Sequence, residues 1–229
     1  MARYVRTAQG KQTKISQNKK LNIGLINSLD RVFVQNSIKE KFLGLLVERT
    51  ENIIVGDPMN ENTCIGPMIM HPKNPTTHLE KVSNIISRAR NDPRCDLIHG
   101  GKVEGNFVFP TIFWCNDNES EIVNTEIFGP VMTILGFEDE EEAVVKANKS
   151  DYGLATGIIT SNLRRAHNLA QQLNVGYVWI NNYNLTPVEM PFGGRKMSGF
   201  GNELGQDAIK EYTQSKTVYV ELGKIESSF

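Results

Sequence analysis

Apolar residues recur along this chain in two rhythms. Arg31–Val34 is a short strand-like run, and Ile38, Phe42, Leu45 and Leu46 follow at helical spacing, giving one stripe to bury. Ser37-Ile38-Lys39-Glu40, at the start of that stripe, has the form of a capping box. In such a box the serine oxygen accepts an early amide proton and the glutamate reaches back. Thr77-His78-Leu79-Glu80 repeats the pattern at the head of a helix with Leu79, Val82, Ile85, Ile86 and Ala89 inward. His78, in that first turn, reads as a surface side chain rather than a ligand.

Strand and helix then alternate. Val131–Phe137 is an apolar run, and Asp139 can cap a helix containing Glu142, Val145 and Lys146. Thr156–Thr160 reads as a strand, and Ser161 as the cap of a helix with Leu163, Ala166, Ala170 and Leu173 on one face. Gly176–Asn181 is a further apolar strand. Strands separated by amphipathic helices of about 10–15 residues predict right-handed crossovers and a parallel sheet. The fold class is therefore α/β. Lys216–Leu222 lies outside these units and is β-branched, so a strand there either edges its own sheet or pairs with another chain.

Composition adds exclusions. The 229 residues are 39% apolar and 22% charged, enough for a packed core and incompatible with intrinsic disorder. No apolar run approaches the ~20 residues that cross a bilayer, so no membrane span is expected. A net charge of −1 conceals an uneven distribution. Arg3, Arg6, Lys11, Lys14, Lys19 and Lys20 face no acid within residues 1–20, and the rest is net acidic. Residues 1–30 form a basic head without clear periodicity. It reads as a solvated tail or a stretch foreign to the fold, rather than as an Arg- and Ser-rich transit peptide.

Cys64, Cys95 and Cys115 make no CxxC, and the four histidines make no HxxxH, so neither a disulfide scaffold nor a metal site is expected. Reduced thiols in a cytoplasmic setting fit better than a mitochondrial one, and no nucleic-acid partner is expected.

Two loops stand out. In Glu126-Ile127-Phe128-Gly129-Pro130-Val131 a glycine and a proline fix a turn just ahead of a strand, holding the glutamate and phenylalanine beside the sheet. Pro191-Phe192-Gly193-Gly194-Arg195-Lys196-Met197-Ser198-Gly199-Phe200-Gly201 is glycine-rich but matches neither GxGxxG nor GxxxxGK[ST]. On physical grounds it reads as a structural turn rather than a phosphate cradle.

These loops, with Asn181-Asn182-Tyr183-Asn184 and Tyr212-Thr213-Gln214-Ser215-Lys216-Thr217-Val218, resemble the C-terminal half of aldehyde dehydrogenases. The Thr186-Pro187-Val188-Glu189-Met190-Pro191 segment is most similar to the branch acting on 4-trimethylaminobutyraldehyde and betaine aldehyde. The resemblance runs from about Arg31 to Phe229. It implies a partial catalytic domain over 31–215, and an oligomerisation strand and tail over 216–229.

The family oxidises aldehydes to acids with NAD(P), through a cysteine that forms a thiohemiacetal and then a thioester. By resemblance Glu126 holds the nicotinamide ribose hydroxyls, Phe128 packs beside the nicotinamide, and Phe192 lines the tunnel for a small aldehyde. The catalytic cysteine of the family stands five residues before the arginine matched by Arg31, and that position here is Ile26. Isoleucine has no lone pair with which to carry an acyl group, so no catalytic residue is assigned.

The resemblance also implies that the family's cofactor domain, base glutamate and oxyanion asparagine precede the point where this sequence starts. The expectation is thus an aldehyde dehydrogenase family member inactive alone, whose own hold on NAD(P) is half a clamp. The alternative is an assembly or regulatory partner of itself or of a full-length homologue, through the C-terminal strand. The abrupt edge near Arg31 also fits a splice form or a misjoined gene model.

Overall fold

The computed structural model describes residues 2–6, 29–68 and 77–224. Its strands are β1 (Ala2–Arg6), β2 (Leu29–Gln35), β3 (Cys95–His99), β4 (Val103–Glu104), β5 (Phe107–Val108), β6 (Thr111–Cys115), β7 (Val131–Phe137), β8 (Tyr152–Gly153), β9 (Ala155–Ile159), β10 (Tyr177–Ile180) and β11 (Arg195–Lys196). The helices are α1 (Lys39–Glu51), α2 (Thr77–Arg90), α3 (Glu121–Asn124), α4 (Glu140–Asn148), α5 (Leu163–Gln172) and α6 (Asp207–Glu211).

Seven strands form one sheet in the order β10-β9-β1-β2-β7-β6-β3. Every neighbouring pair is parallel except β3 with β6. The expected parallel α/β sheet is present, with one antiparallel edge strand added.

Alternation along the strands sends side chains to two cores, one on each face. Val32, Val34, Ile112, Trp114 and Ile134 meet Leu43, Phe42 and Leu46 of α1. Phe33, Phe113, Leu135 and Phe137 meet Val82, Ile85, Ile86 and Ala89 of α2, Ala143 and Ala147 of α4, and Ala166 and Leu169 of α5. The sheet is therefore covered on both faces, which is why strands such as β6 and β7 are largely apolar rather than alternating.

Local signals held in part. Asp139 caps α4, its side chain accepting from Glu142 N at 2.9 Å. The cap of α5 is Asn162, one residue past Ser161, with Oδ1 accepting from Arg165 N at 3.0 Å. Asparagine caps as well as serine, so the amide takes the role where the backbone places it. The box at Ser37 does not form. A 3-10 turn over Asn36–Ile38 puts Ser37 inside the turn, and α1 starts from Ile38 without a side-chain cap. That offset also turns Leu43 inward and leaves Leu45 exposed.

The first end differs from expectation, and the second leaves one of its two expected alternatives standing. Ala2–Arg6, inside the basic head, runs between β9 and β2 with parallel pairing on both sides, so this part of the head is neither solvated tail nor outside the fold. Tyr4-Val5 is a strand-favouring pair, a short-range signal masked by the surrounding charge. Residues 216–222 belong to neither edge of the sheet, and Val218, Tyr219, Val220 and Leu222 are exposed.

Candidate functional site

The Glu126–Pro130 loop leads into the N-terminal end of β7. Its anchor is Ile127, buried in the larger core, whereas Glu126 is half-buried and Phe128 exposed. Burying the middle residue of three turns its neighbours outward. Among the described residues the Glu126 carboxylate makes no hydrogen bond or ion pair, leaving it an acceptor for outside hydroxyl donors.

Helix α2 holds the backbone of this loop. Lys81 Nζ donates to the Glu126 carbonyl at 3.0 Å, and His78 Nε2–H donates to the Phe128 carbonyl at 2.9 Å. Between them the loop packs so closely on Val82 that a side chain at Gly129 would meet Val82 Cγ1 at 3.1 Å. Phe128 is held at φ 57°. Left-handed backbone at a bulky residue costs roughly 1–2 kcal/mol. The two carbonyl contacts and the Ile127 anchor offset that cost and aim the ring.

His78 thus has a function in the fold that its surface position did not suggest. The signal available in sequence was the i, i+3 spacing of His78 and Lys81, which puts both on one face of α2.

Phe192 reaches the site by a longer route. After β10 the chain doubles back, so that Gly193 lies against Gly176 at the start of that strand. A Cβ on Gly176 would fall 1.7 Å from the Gly193 carbonyl oxygen. The returning loop is locked further on. Phe192 and Glu203 exchange backbone hydrogen bonds at 2.7 and 2.8 Å, β11 pairs with β8, and Ser198 Oγ accepts from Gly153 N at 2.9 Å. The glycine-rich segment is therefore packed on its own backbone, in keeping with a structural turn.

Because the sheet is parallel here, β7, β9 and β10 start at the same end. The return loop brings Phe192 back to the end at which the Glu126–Pro130 loop enters. There the Phe192 ring lies 5.5 Å from Tyr177, which lies 4.7 Å from Trp179. Trp179 donates through Nε1 to the Leu185 carbonyl at 2.6 Å, which ties the aromatic row to the return loop. Sequence reasoning singled out Phe192 and missed Tyr177 and Trp179, since strand aromatics are ordinarily core.

The position proposed for the nucleophile, Ile26, lies outside the described residues. Cys64 is exposed, while Cys95 and Cys115 are buried together on β3 and β6; Cys115 pairs with Leu135, toward the opposite end of β7 from the Glu126–Pro130 loop, and β10 with its return loop is at the other edge of the sheet. Burial raises the Cys115 thiol well above its ordinary range, with Cys95 beside it adding to the effect, so Cys115 rests as the thiol and not as the free thiolate that attack on an aldehyde needs.

The sequence pattern of the aldehyde dehydrogenase family matches residues 26–218. The betaine aldehyde dehydrogenase of Sinorhizobium fredii is 45% identical over 205 residues, covering 87% of this chain and 41% of its own length. That of Vibrio vulnificus is also 45% identical, with the same coverage. The chain spans about two-fifths of the curated relatives it matches.

Among solved structures, an NAD-dependent aldehyde dehydrogenase from Sinorhizobium meliloti superposes with a TM-score of 0.81 at 34% identity, over 87% of this chain and 39% of that one. A betaine aldehyde dehydrogenase from Staphylococcus aureus in complex with NAD+ gives 0.77 at 36% identity, over 86% and 42%. The two loops at one end of the sheet, the doubly covered parallel fold and these matches agree: this chain belongs to the aldehyde dehydrogenase family.

Proposed function

We propose that this chain supplies the nicotinamide-facing and tunnel-facing loops of an aldehyde dehydrogenase fold, and that the 229-residue chain alone does not oxidise aldehydes. The observation that carries the first half is the Glu126–Gly129 loop, with a carboxylate that has no partner among the described residues and an exposed ring pinned by His78, Lys81 and Ile127. A carboxylate of this kind accepts from two adjacent ribose hydroxyls, and the phenyl face covers a flat ring. NAD(P), when bound, accepts the hydride that leaves the aldehyde carbon. Glu126 would orient its ribose and Phe128 its nicotinamide.

On the substrate side, Phe192 and Tyr177 offer aromatic faces. Such faces attract quaternary ammonium groups. This supports an aminoaldehyde as the substrate class, in keeping with relatives named betaine aldehyde dehydrogenase. The second half rests on Ile26, which cannot form a thiohemiacetal.

A thiolate able to form a thioester also attacks an activated ester, so p-nitrophenyl acetate tests for it without cofactor. The chain should give no stoichiometric burst of p-nitrophenolate beyond what Cys64→Ser removes. A burst that survives Cys64→Ser overturns the reading.

A second reading has its own observation. Val218, Tyr219, Val220 and Leu222 form an exposed apolar run that pairs with no strand among the described residues. Strand addition to another chain would cover it, the other chain being a second copy or a full-length homologue. Light scattering should show a dimer or larger assembly, lost on replacing Val218 and Val220 by lysine. A monodisperse monomer that also ignores a full-length homologue refutes it.

A further inference from the structure

Cys95 and Cys115 lie directly opposite each other on the antiparallel pair β3 and β6. Asn116 N donates to the Arg94 carbonyl at 2.9 Å, next to this pair, which makes it a non-hydrogen-bonded pair of the ladder. At such positions the Cα atoms are about 4.5 Å apart and the side chains converge, inside the ~4.4–6.8 Å span that a disulfide bridges. The sulfurs are 3.0 Å apart. Both side chains are buried, Cys115 completely and Cys95 at 6% exposure, and β3 is the sheet's edge strand.

The polar partners give the cluster a direction. Ser120 Oγ lies 3.1 Å from Cys95 Sγ and donates its hydrogen to Asp92 Oδ2 at 2.9 Å. Having given its proton to a carboxylate, the hydroxyl can only accept from the Cys95 thiol, and Cys115 in turn donates to Cys95 sulfur. Arg94 holds Asp92 ionised through bonds at 2.8 Å to both carboxylate oxygens. Cys95 therefore has a path for its proton toward the surface, and Cys115 does not.

We infer that Cys95 and Cys115 are a redox pair that closes to a cross-strand disulfide at the edge of the sheet, with a small-molecule disulfide as oxidant. Cys95 reacts first. Its sulfur attacks one sulfur of the reagent and expels the other as a thiolate, and the Cys95 proton, leaving by way of Ser120 to solvent, is taken up by that thiolate. Cys115 then attacks Cys95 sulfur in the mixed disulfide, its proton passing to the second departing thiolate. Both protein sulfurs are oxidised, the reagent's disulfide is reduced to two thiols, and no other reactant is required. The bridge joins residues twenty apart and fastens the edge strand β3 to β6.

The test uses the whole chain in buffers of oxidised and reduced glutathione, quenched with acid, alkylated in denaturant and digested without reduction. Trypsin separates residues 95–102 from 103–146, so each cysteine sits on its own peptide. The expected product is these two peptides joined at two mass units below their sum, lost on adding dithiothreitol, with Cys64 modified independently. In the Cys64→Ser chain, closure should raise Tm by several degrees, because a loop of this length is removed from the unfolded ensemble. Three results each overturn the inference. Cys95 and Cys115 could both remain alkylatable where Cys64 is fully glutathionylated. Cys95 could stop at the mixed disulfide with Cys115 free. The joined peptides could form as readily from the urea-unfolded chain as from the native one.

Discussion

Ile127→Ala removes the anchor of the Glu126–Phe128 loop. Ile127 is 1% exposed and belongs to the larger core, beside Val82, Ile122 and Val131. The substitution deletes three carbons. At about 0.8 kcal/mol for each buried methylene the transfer loss is about 2.4 kcal/mol. A residual cavity of roughly 50 Å³ adds about 1.2 kcal/mol at ~24 cal/mol per Å³. The expected cost is therefore about 3–4 kcal/mol.

Urea unfolding followed by fluorescence reads this directly, because Trp114 reports the smaller core and Trp179 the aromatic row beside the return loop. With a slope of about 2 kcal/mol/M the midpoint should fall by roughly 1.5–2 M. Val145→Ala, at a position 66% exposed on α4, serves as the control and should change stability by less than about 0.5 kcal/mol. An Ile127→Ala loss below about 1 kcal/mol would refute the claim that the loop is held from beneath by a packed side chain.

Asp139→Ala should cost about 1 kcal/mol in the same assay, since it removes the acceptor for Glu142 N at the start of α4. Gly176→Ala should detach the return loop: its new methyl would overlap backbone, not a movable side chain, so the near-ultraviolet circular dichroism of Tyr177, Trp179 and Phe192 should weaken. An unchanged spectrum would show that the two segments are not in contact. Asp92 is held well below the usual aspartate range, first by its side-chain bonds from Arg94 and then by the Arg94 backbone N–H. A depressed carboxylate contributes stability above the unfolded value near ~3.9 and loses it as pH falls toward the folded value. The urea midpoints of wild type and Asp92→Asn should thus differ at pH 7, and the gap should begin to narrow only below about pH 4 and go on narrowing as the pH falls further; a constant gap would exclude ionisation as the cause.

Much of this fold is legible in the chain because burial and period coincide. Val131–Phe137 is the strand that was expected, and Val82, Ile85, Ile86 and Ala89 are the buried face of α2. Caps were less legible, because Ser37, Ser161 and Asn162 are all competent acceptors and only the path of the backbone out of the preceding strand selects among them. Ala2–Arg6 illustrates the opposite limit: its place in the middle of the sheet comes from long-range pairing with β2 and β9, which five residues rich in charge do not advertise. At the candidate site, Glu126, Phe128 and Phe192 were singled out through motifs. His78, Lys81 and Tyr177 were not, because their contribution is to hold another segment's backbone or ring, and nothing in local spacing says which segment arrives.

The most direct measurement is absorbance at 340 nm from the purified 229-residue chain with NAD and betaine aldehyde or 4-trimethylaminobutyraldehyde, beside a buffer blank. With Ile26 at the position we propose for the nucleophile, the trace should match the blank at every chain concentration. NADH formation that scales with the amount of chain would contradict the central claim.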